Sequence, residues 1–158
     1  MKLYHGTNMD FKEIDISHTH LFKDFGQGFY LTDIFSQAKA MADRKVYTNG
    51  GSPIVQVYEF DAIHLEDGSL KVKRFEQPSK EWAEFIVNNR SRRYPAFKHS
   101  FDIVIGPIAD DGVAYLLGRY EEGTYTLEEL AEELKYRKLN RQYFFGSYQA
   151  IELLKRIK

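Results

Sequence analysis

Three short segments of this sequence carry residue types that could hold a planar, polar ligand. They are residues 3–7, 24–33 and 142–147. In the middle segment, Gly26 and Gly28 allow the backbone to turn sharply and to approach a ligand closely. The flat ring of Tyr30, which follows them, suits stacking on a planar group. A dinucleotide or phosphate loop is not predicted, because no third glycine follows Gly28 and no Lys-Ser/Thr pair follows the segment.

Other residues with reactive or charged side chains have simpler interpretations. His18 and His20 have no third metal ligand nearby, so we interpret them as part of a solvated loop. Asp110 and Asp111 precede Gly112, which is typical of a turn rather than a catalytic carboxylate pair. The cluster of Arg90, Arg92 and Arg93 ends a predicted helix and complements its dipole, which is sufficient to explain it. The alternative is a site for the phosphates of a cofactor or nucleic acid, with Arg90 as the best candidate.

These segments are embedded in an irregular mixture of predicted strands and helices. Strands are predicted at residues 2–6, 29–32, 54–60 and 101–108, with a further alternating segment at 70–75. Helices are predicted after Asp33 or Ser36, over 81–92 with Trp82 in the core, after the capping box at Thr126, and from Ser147 to the end. Residues 8–23 form a long polar loop that could cover a ligand. The fold class predicted is α+β with a largely antiparallel sheet.

Length and composition limit the number of domains and the class of protein that we expect. The chain has 158 residues, so we expect one domain over 1–158. A net charge of -1 gives no general attraction to nucleic acids or anionic membranes. There is no cysteine, which excludes disulfides and thiolate zinc sites and suits a reducing compartment. With no signal-like or membrane-spanning apolar run, we expect a soluble, cytoplasmic protein with no membrane partner.

The three segments together resemble the ADP-ribosyltransferase superfamily, in the branch of diphtheria toxin and the poly(ADP-ribose) polymerases. The matching motifs are His5-Gly6-Thr7, Gly26-Gln27-Gly28-Phe29-Tyr30 and the late strand that begins at Gln142. Over nearly its whole length the chain is most similar to a family of small bacterial domains formerly of unknown function. The resemblance implies a split, largely antiparallel sheet with flanking helices. It also implies NAD as substrate and no metal.

The resemblance assigns roles at the NAD site. The binding residues it implies are His5, Gly6, Thr7, Gly28, Tyr30 and Met41, and the catalytic set is Gln142, Tyr30 and His5. His5 would bind a ribose hydroxyl at the adenosine end, and the backbone of Gly6 would hold the nicotinamide carboxamide. Tyr30 would stack on the nicotinamide, with Thr7 as an adjunct. Two positions depart from relatives: Ala38 replaces a serine, and Met41 replaces a second stacking tyrosine.

The third motif differs most from the motifs of the relatives, because Gln142 stands where most of them have glutamate. Glutamine can still bind the ribose but brings no charge, so polymer elongation is not expected. The activity implied is mono-ADP-ribosyl transfer to a protein or nucleic-acid target by a bacterial toxin or toxin–antitoxin effector, with an antitoxin protein as partner. Three alternatives remain open: a catalytically weak NAD- or ADP-ribose-binding module, an NAD glycohydrolase of the same fold, or an enzyme that removes an RNA 2′-phosphate.

Overall fold

The computed structural model describes residues 1–92, 95–135 and 137–158. Within these ranges there are seven strands and five α-helices. The strands are β1 (Lys2–Thr7), β2 (Phe29–Leu31), β3 (Ile54–Glu59), β4 (Val72–Arg74), β5 (Ile103–Pro107), β6 (Arg141–Phe145) and β7 (Lys155–Arg156). The helices are α1 (Phe35–Asn49), α2 (Lys80–Arg90), α3 (Asp111–Glu121), α4 (Leu127–Leu134) and α5 (Tyr148–Ile151).

The strands form two sheets. One has the order β1-β3-β7 and is antiparallel, and the other has the order β2-β6-β5-β4. In the second sheet only β4 and β5 are parallel. The sheets meet at a single described bridge between Tyr4 and Thr32, whose backbone groups exchange hydrogen bonds of 2.8 and 2.9 Å. The predicted α+β class and the mainly antiparallel pairing are confirmed.

Successive side chains of a strand point to opposite faces of the sheet. Both faces of the four-stranded sheet are covered. On one face, Val104 and Phe144 join a cluster with Trp82 and the apolar sides of α2, α3 and α4. On the other face, residues such as Ile103 and Phe145 pack against the three-stranded sheet. Trp82 is fully buried and its ring N–H donates to the Pro107 carbonyl oxygen at 3.1 Å. Its predicted place in the core is confirmed.

The long segment between β1 and β2 is fastened to the three-stranded sheet by a polar network. Gln56 on β3 is fully buried and donates to the Asp10 carboxylate at 2.8 Å and to the Phe11 carbonyl at 2.9 Å. The Tyr58 hydroxyl donates to the Gln56 amide oxygen at 2.8 Å. From β7, Arg156 donates to the same Asp10 carboxylate and to the Phe11 carbonyl, both at 2.6 Å. Every polar atom of the Gln56 amide therefore has a partner, as burial requires.

Two predicted helix features are wrong. Neither Asp33 nor Ser36 caps α1; the cap position is Ile34, which makes no side-chain capping bond. The Thr32 hydroxyl, one residue before Asp33, accepts from the Ile34 N–H at 3.1 Å. The helix predicted from Ser147 to the end is also too long. Ser147 caps α5, but α5 ends at Ile151, and the chain then extends as β7 to pair with β3. Pairing along an open strand edge overrides the helical spacing of the apolar residues here.

The turn predicted at Asp110 and Asp111 is the start of α3, which the sequence analysis did not predict. The Asp110 side chain accepts from the Val113 N–H, and Asp111 is the first residue of the helix. The capping box at Thr126 and Glu129, in contrast, is confirmed at the start of α4. Asp-Asp-Gly is equally compatible with a turn and with a capped helix, so the local sequence alone could not distinguish them.

Candidate functional site

A cavity of about 440 Å³ opens where β1 and β2 diverge beyond the Tyr4–Thr32 bridge. Its walls come from β1, β2, the first turns of α1, the segment before α3 and the start of β6. Five residues from the predicted site line it: Gly6, Tyr30, Ala38, Met41 and Gln142. They are up to 136 positions apart in sequence, as their numbers show. A cavity of this size is in the range of about 300–1,000 Å³ that accommodates small-molecule ligands.

Gly6 presents its backbone to the gap between the sheets. The N–H and C=O of Tyr4 point towards β2, where they pair with Thr32, so those of Gly6, two residues on, point the same way. β2 no longer pairs with β1 at this level. The Lys45 ammonium donates to the Gly6 carbonyl oxygen at 2.8 Å instead. A side chain is excluded, since a Cβ at Gly6 would lie 2.0 Å from the Ala38 carbonyl oxygen of α1. Glycine is therefore required by the close approach of α1.

Tyr30 has its ring at the cavity and its hydroxyl buried in the turn that precedes β2. The hydroxyl donates to the Gly26 carbonyl at 2.7 Å and accepts from the Phe25 N–H at 3.0 Å. Burial raises the pKa of the phenol, so it stays neutral. Gly26 has a φ of +99°, a conformation that favours glycine. The turn and the Tyr30 ring are thus fixed as one unit.

His5 lies beside the cavity rather than on its wall. Its ring packs on Phe29 at a centroid distance of 4.3 Å, and its Nδ1 is 2.7 Å from the Tyr30 carbonyl oxygen. Burial, then repulsion by Lys45, lowers the pKa of His5 to about 3, so the ring is neutral at physiological pH. A carbonyl can only accept, so Nδ1 carries the proton and Nε2 is an acceptor. Among the described residues, none hydrogen-bonds Nε2.

Two predicted binding residues are placed elsewhere. The Thr7 hydroxyl is buried and donates to the Met9 carbonyl at 3.1 Å, so it stabilises the turn after β1. Gly28 approaches β6 rather than a ligand site, because a Cβ there would lie 2.3 Å from the Phe144 ring and 2.7 Å from the Phe145 carbonyl oxygen. The close backbone approach predicted at Gly28 is present, but its partner is the protein.

Ala38 and Met41 form the helical side of the cavity. Ala38 is buried and allows α1 to pack on Gly6, whereas Met41 is 42% exposed and supplies a flexible apolar surface. Gln37, one residue before Ala38, also lines the cavity, and its amide oxygen is buried without a partner among the described residues. The helical wall therefore combines apolar residues with the unsatisfied acceptor of Gln37 and the cationic side chain of Arg44.

Gln142 begins a short chain of polar contacts that leads away from the cavity. Its amide nitrogen donates to the Asp24 carboxylate at 3.4 Å, and the other oxygen of that carboxylate pairs with Arg90 Nε at 2.8 Å. The Asp24 side chain is 14% exposed. Because a carboxylate accepts only from the amide nitrogen, this contact sets which end of the amide faces Asp24. The amide oxygen remains for the cavity side.

The arginine cluster is not a free basic patch. Arg90 lies in the last turn of α2 and is paired with Asp24, and the Arg92 guanidinium stacks 5.2 Å from the centre of the Phe22 ring. Arg93 lies outside the described residues. The interpretation of Arg90 as the end of a helix is consistent with its place in α2, and its guanidinium is further engaged by Asp24.

Asp24 and Lys45 are site residues that the sequence analysis missed. Asp24 directly precedes the glycine segment, and Lys45 follows Met41 by four positions on α1, one turn along the same face. The helical spacing from Ala38 and Met41 to Lys45 was a usable signal. The pairing of Asp24 with Gln142 links residues far apart in the chain, and no local pattern indicates it.

The fold and the cavity define a small α+β domain with a ligand-sized pocket in the split of its sheet. The chain belongs to the family described as Protein of unknown function (DUF3990), which it matches over residues 1–156. No curated protein and no solved structure gives a significant match. Of the helices in the described ranges, none has the length and apolar character needed to cross a membrane.

Proposed function

We propose that this protein is an NAD-dependent mono-ADP-ribosyltransferase that releases nicotinamide and transfers ADP-ribose to a protein or nucleic acid. The observation that carries the proposal is the cavity lined jointly by Gly6, Tyr30, Met41 and Gln142. Gly6, Tyr30 and Gln142 belong to the segments that resemble the ADP-ribosyltransferase motifs, and Met41 stands where relatives have a second stacking tyrosine. Chain folding brings all four to one place. The proposed setting is a bacterial cytoplasmic effector of the toxin type, with an antitoxin as partner.

The cavity suits the nicotinamide end of NAD. The Tyr30 ring offers a flat face, and Met41 on α1 offers a polarizable apolar contact from the helical wall. The backbone groups of Gly6 point into the gap and match the donor and acceptor of a carboxamide. Lys45 holds the Gly6 carbonyl, which has a second lone pair for the ligand. His5 Nε2 is an acceptor for a ribose hydroxyl on the neighbouring side.

The reaction breaks the bond between the anomeric carbon and the nicotinamide nitrogen. The electron pair leaves with nicotinamide, positive charge develops on the ribose, and an acceptor nucleophile then bonds to the anomeric carbon and loses its proton. The Gln142 amide oxygen would accept from a ribose hydroxyl and present a partial negative charge. A full charge at about 4 Å and an effective dielectric of about 20 is worth roughly 4 kcal/mol. Turnover is therefore expected to be slower than with glutamate.

A second candidate is an NAD-binding module without turnover. One arrangement favours it: Gln142 is neutral, and the carboxylate that it contacts, Asp24, is already paired with Arg90. Such a module would retain the stacking and carboxamide contacts and lack the charge that stabilises the transition state. Both candidates use the same cavity, so they differ in rate rather than in binding.

The test is incubation of the protein with NAD labelled in its adenylate part, together with bacterial lysate. We expect release of nicotinamide and transfer of the label to a macromolecule, identified by mass spectrometry. A Tyr30→Ala variant serves as the control for the cavity and should do both more slowly at an NAD concentration below saturation. NAD binding without nicotinamide release would support the binding module, release without labelled macromolecule would support a glycohydrolase, and no NAD binding would refute both proposals.

A further inference from the structure

We propose that Lys23 and Lys45 form a subsite for an anion, the pyrophosphate of the dinucleotide, beside the cavity. This inference rests on the proposed function for the identity of the ligand. The subsite itself rests on two lysines that flank the gap between the sheets. It replaces Arg90 as the candidate for the phosphates, since Arg90 is paired with Asp24.

Lys45 is the more buried of the two lysines. It extends from α1 to the Gly6 carbonyl oxygen at 2.8 Å and is only partly exposed. One contact with a carbonyl uses one of the three ammonium protons, so two remain for a ligand. Burial, and then the charge of Lys23, lowers the pKa of Lys45. A cation held in such a place is stabilised when an anion binds beside it.

Lys23 approaches the same place from the other side. Its ammonium lies 5.7 Å from the centre of the Tyr30 ring, at the end of the long segment before β2. Its charge also contributes to lowering the pKa of Lys45 and of His5. Tyr30 contributes no negative charge to offset them, because its phenol is neutral.

Neither ammonium has an ion-pair partner in the parts of the chain that the structure describes. Other lysines do: Lys73 pairs with Glu81 at 2.6 Å and Lys80 with Glu128 at 2.8 Å. Two cations at one site repel each other, which costs stability unless an anion is bound, and the neighbouring Asp24 carboxylate is already paired with Arg90. This excess of positive charge is local, because the whole chain has a net charge of -1.

The position agrees with the order of groups along NAD. The pyrophosphate joins the nicotinamide ribose to the adenosine ribose. Lys45 contacts Gly6, which is assigned to the nicotinamide end, and Lys23 lies over Tyr30, which is assigned to the same end. His5, assigned to the adenosine ribose, is affected by both lysine charges. Both ammonium groups therefore lie at the nicotinamide end of the cavity, and their charges also act on His5, so we assign them the anionic group that links the two ends.

The experiment is titration calorimetry of NAD and of inorganic pyrophosphate with wild type, Lys23→Met and Lys45→Met. Lys39→Met is the matched control, because Lys39 is an exposed lysine on the same helix as Lys45. Loss of one charge-assisted contact should weaken NAD and pyrophosphate binding about tenfold in each test variant, and Lys39→Met should bind as wild type does. The affinity of wild type should fall with added salt more steeply than that of either test variant. Thermal unfolding checks that Lys45→Met is folded, and Lys23→Met alters only an exposed side chain.

The possible results distinguish failure of the anion subsite from failure of the proposed transferase. Pyrophosphate binding that depends on both lysines, without nicotinamide release, supports the subsite and refutes the transferase. Nicotinamide release with unchanged NAD affinity in Lys23→Met and Lys45→Met refutes the subsite and leaves the transferase intact. Failure of wild type to bind pyrophosphate and NAD, or an equal loss in Lys39→Met, also refutes the subsite.

Discussion

Tyr30 has a structural role and a proposed binding role, and substitution can separate the two. Its hydroxyl holds the Gly26 turn, and its ring faces the cavity. Tyr30→Ala should weaken NAD binding at least fivefold, because stacking contributes on the order of 1 kcal/mol beyond the buried area. Tyr30→Phe keeps the ring, so NAD affinity should stay within about twofold while stability falls by about 1–3 kcal/mol from the unpaired turn groups. Calorimetry and urea unfolding measure the two effects. Equal NAD affinity in wild type and Tyr30→Ala would place the ligand elsewhere.

His5 should act as a binding residue and not as a general base. Its pKa of about 3 is below the ordinary value, so the ring is neutral at every pH above about 4 and only charges in stronger acid. The profile of kcat/KM should therefore show no titration between pH 5 and pH 8. His5→Ala should raise KM with a smaller effect on kcat, since the acceptor Nε2 for the ribose is lost. An activity that titrates near pH 6.5 in wild type and loses that dependence in His5→Ala would contradict this role.

At the residue scale, the sequence identified the groups that face the cavity better than it identified their supports. Tyr30, Gly6 and Gln142 were found because the motifs name them directly. The pairing of Gln142 with Asp24, and of Asp24 with Arg90, joins three distant parts of the chain. Such contacts depend on tertiary packing, and the spacing of residues along the sequence does not reveal them. Thr7 and Gly28 show the opposite case, because residues in the right motif have their contacts within the protein.

At the scale of elements, the contact between β1 and α1 determines the shape of the cavity. A methyl group at Gly6 would lie 2.0 Å from the Ala38 carbonyl and 2.8 Å from the Ala42 nitrogen, so Gly6→Ala must push α1 away. We expect a loss of about 1–3 kcal/mol in the free energy of unfolding, typical of overpacking, together with weaker NAD binding.

Gly118→Ala is the matched control for this substitution. Gly118 lies inside α3, and nothing is within 4 Å of a Cβ added there. Alanine should stabilise the helix by about 0.5–1 kcal/mol and leave NAD binding unchanged. Urea unfolding of both variants provides the comparison. Equal stability of Gly6→Ala and wild type would mean that α1 is not fixed against β1 as described.

The elements predicted best were those whose signals are local. The capping box of α4 and the apolar strands β3 and β5 were recognised, because capping residues and apolar runs act over a few positions. The strand at β6 was expected only from the family resemblance. α3 was missed because its capping aspartate also suits a turn. β7 was taken for a helix because its pairing with β3 comes from another part of the chain. One error therefore comes from an ambiguous local signal, and the other from a segment whose conformation depends on a distant partner.

At the scale of the whole molecule, the split between the two sheets creates the cavity. Strand pairing holds β1 to β3 on one side and β2 to β6 on the other, with the Tyr4–Thr32 bridge as the junction. The long segment before β2 is fastened by Gln56 and Arg156, so it is held beside the site. The sequence predicted the α+β class, but not that a single bridge would join two sheets.

The proposed activity depends most on Gln142, which should act mainly in the transition state. Gln142→Ala should lower nicotinamide release at least tenfold while NAD affinity stays within about twofold, because an interaction used in the transition state changes kcat more than binding. Gln142→Glu should preserve or raise release. Asp24 is close to this position, so the introduced carboxyl needs a higher pH to ionise, and any gain should grow from pH 6 to pH 8.

The most direct test of the account is therefore the rate of nicotinamide release from NAD by wild type, Gln142→Ala and Gln142→Glu, with lysate present as a source of acceptor. The account predicts measurable release by wild type, a large loss in Gln142→Ala, and a rate in Gln142→Glu at least equal to that of wild type. Full activity in Gln142→Ala would show that this residue does not act on the ribose. Absence of release in all three variants, with NAD still bound, would contradict the transferase and leave a binding module.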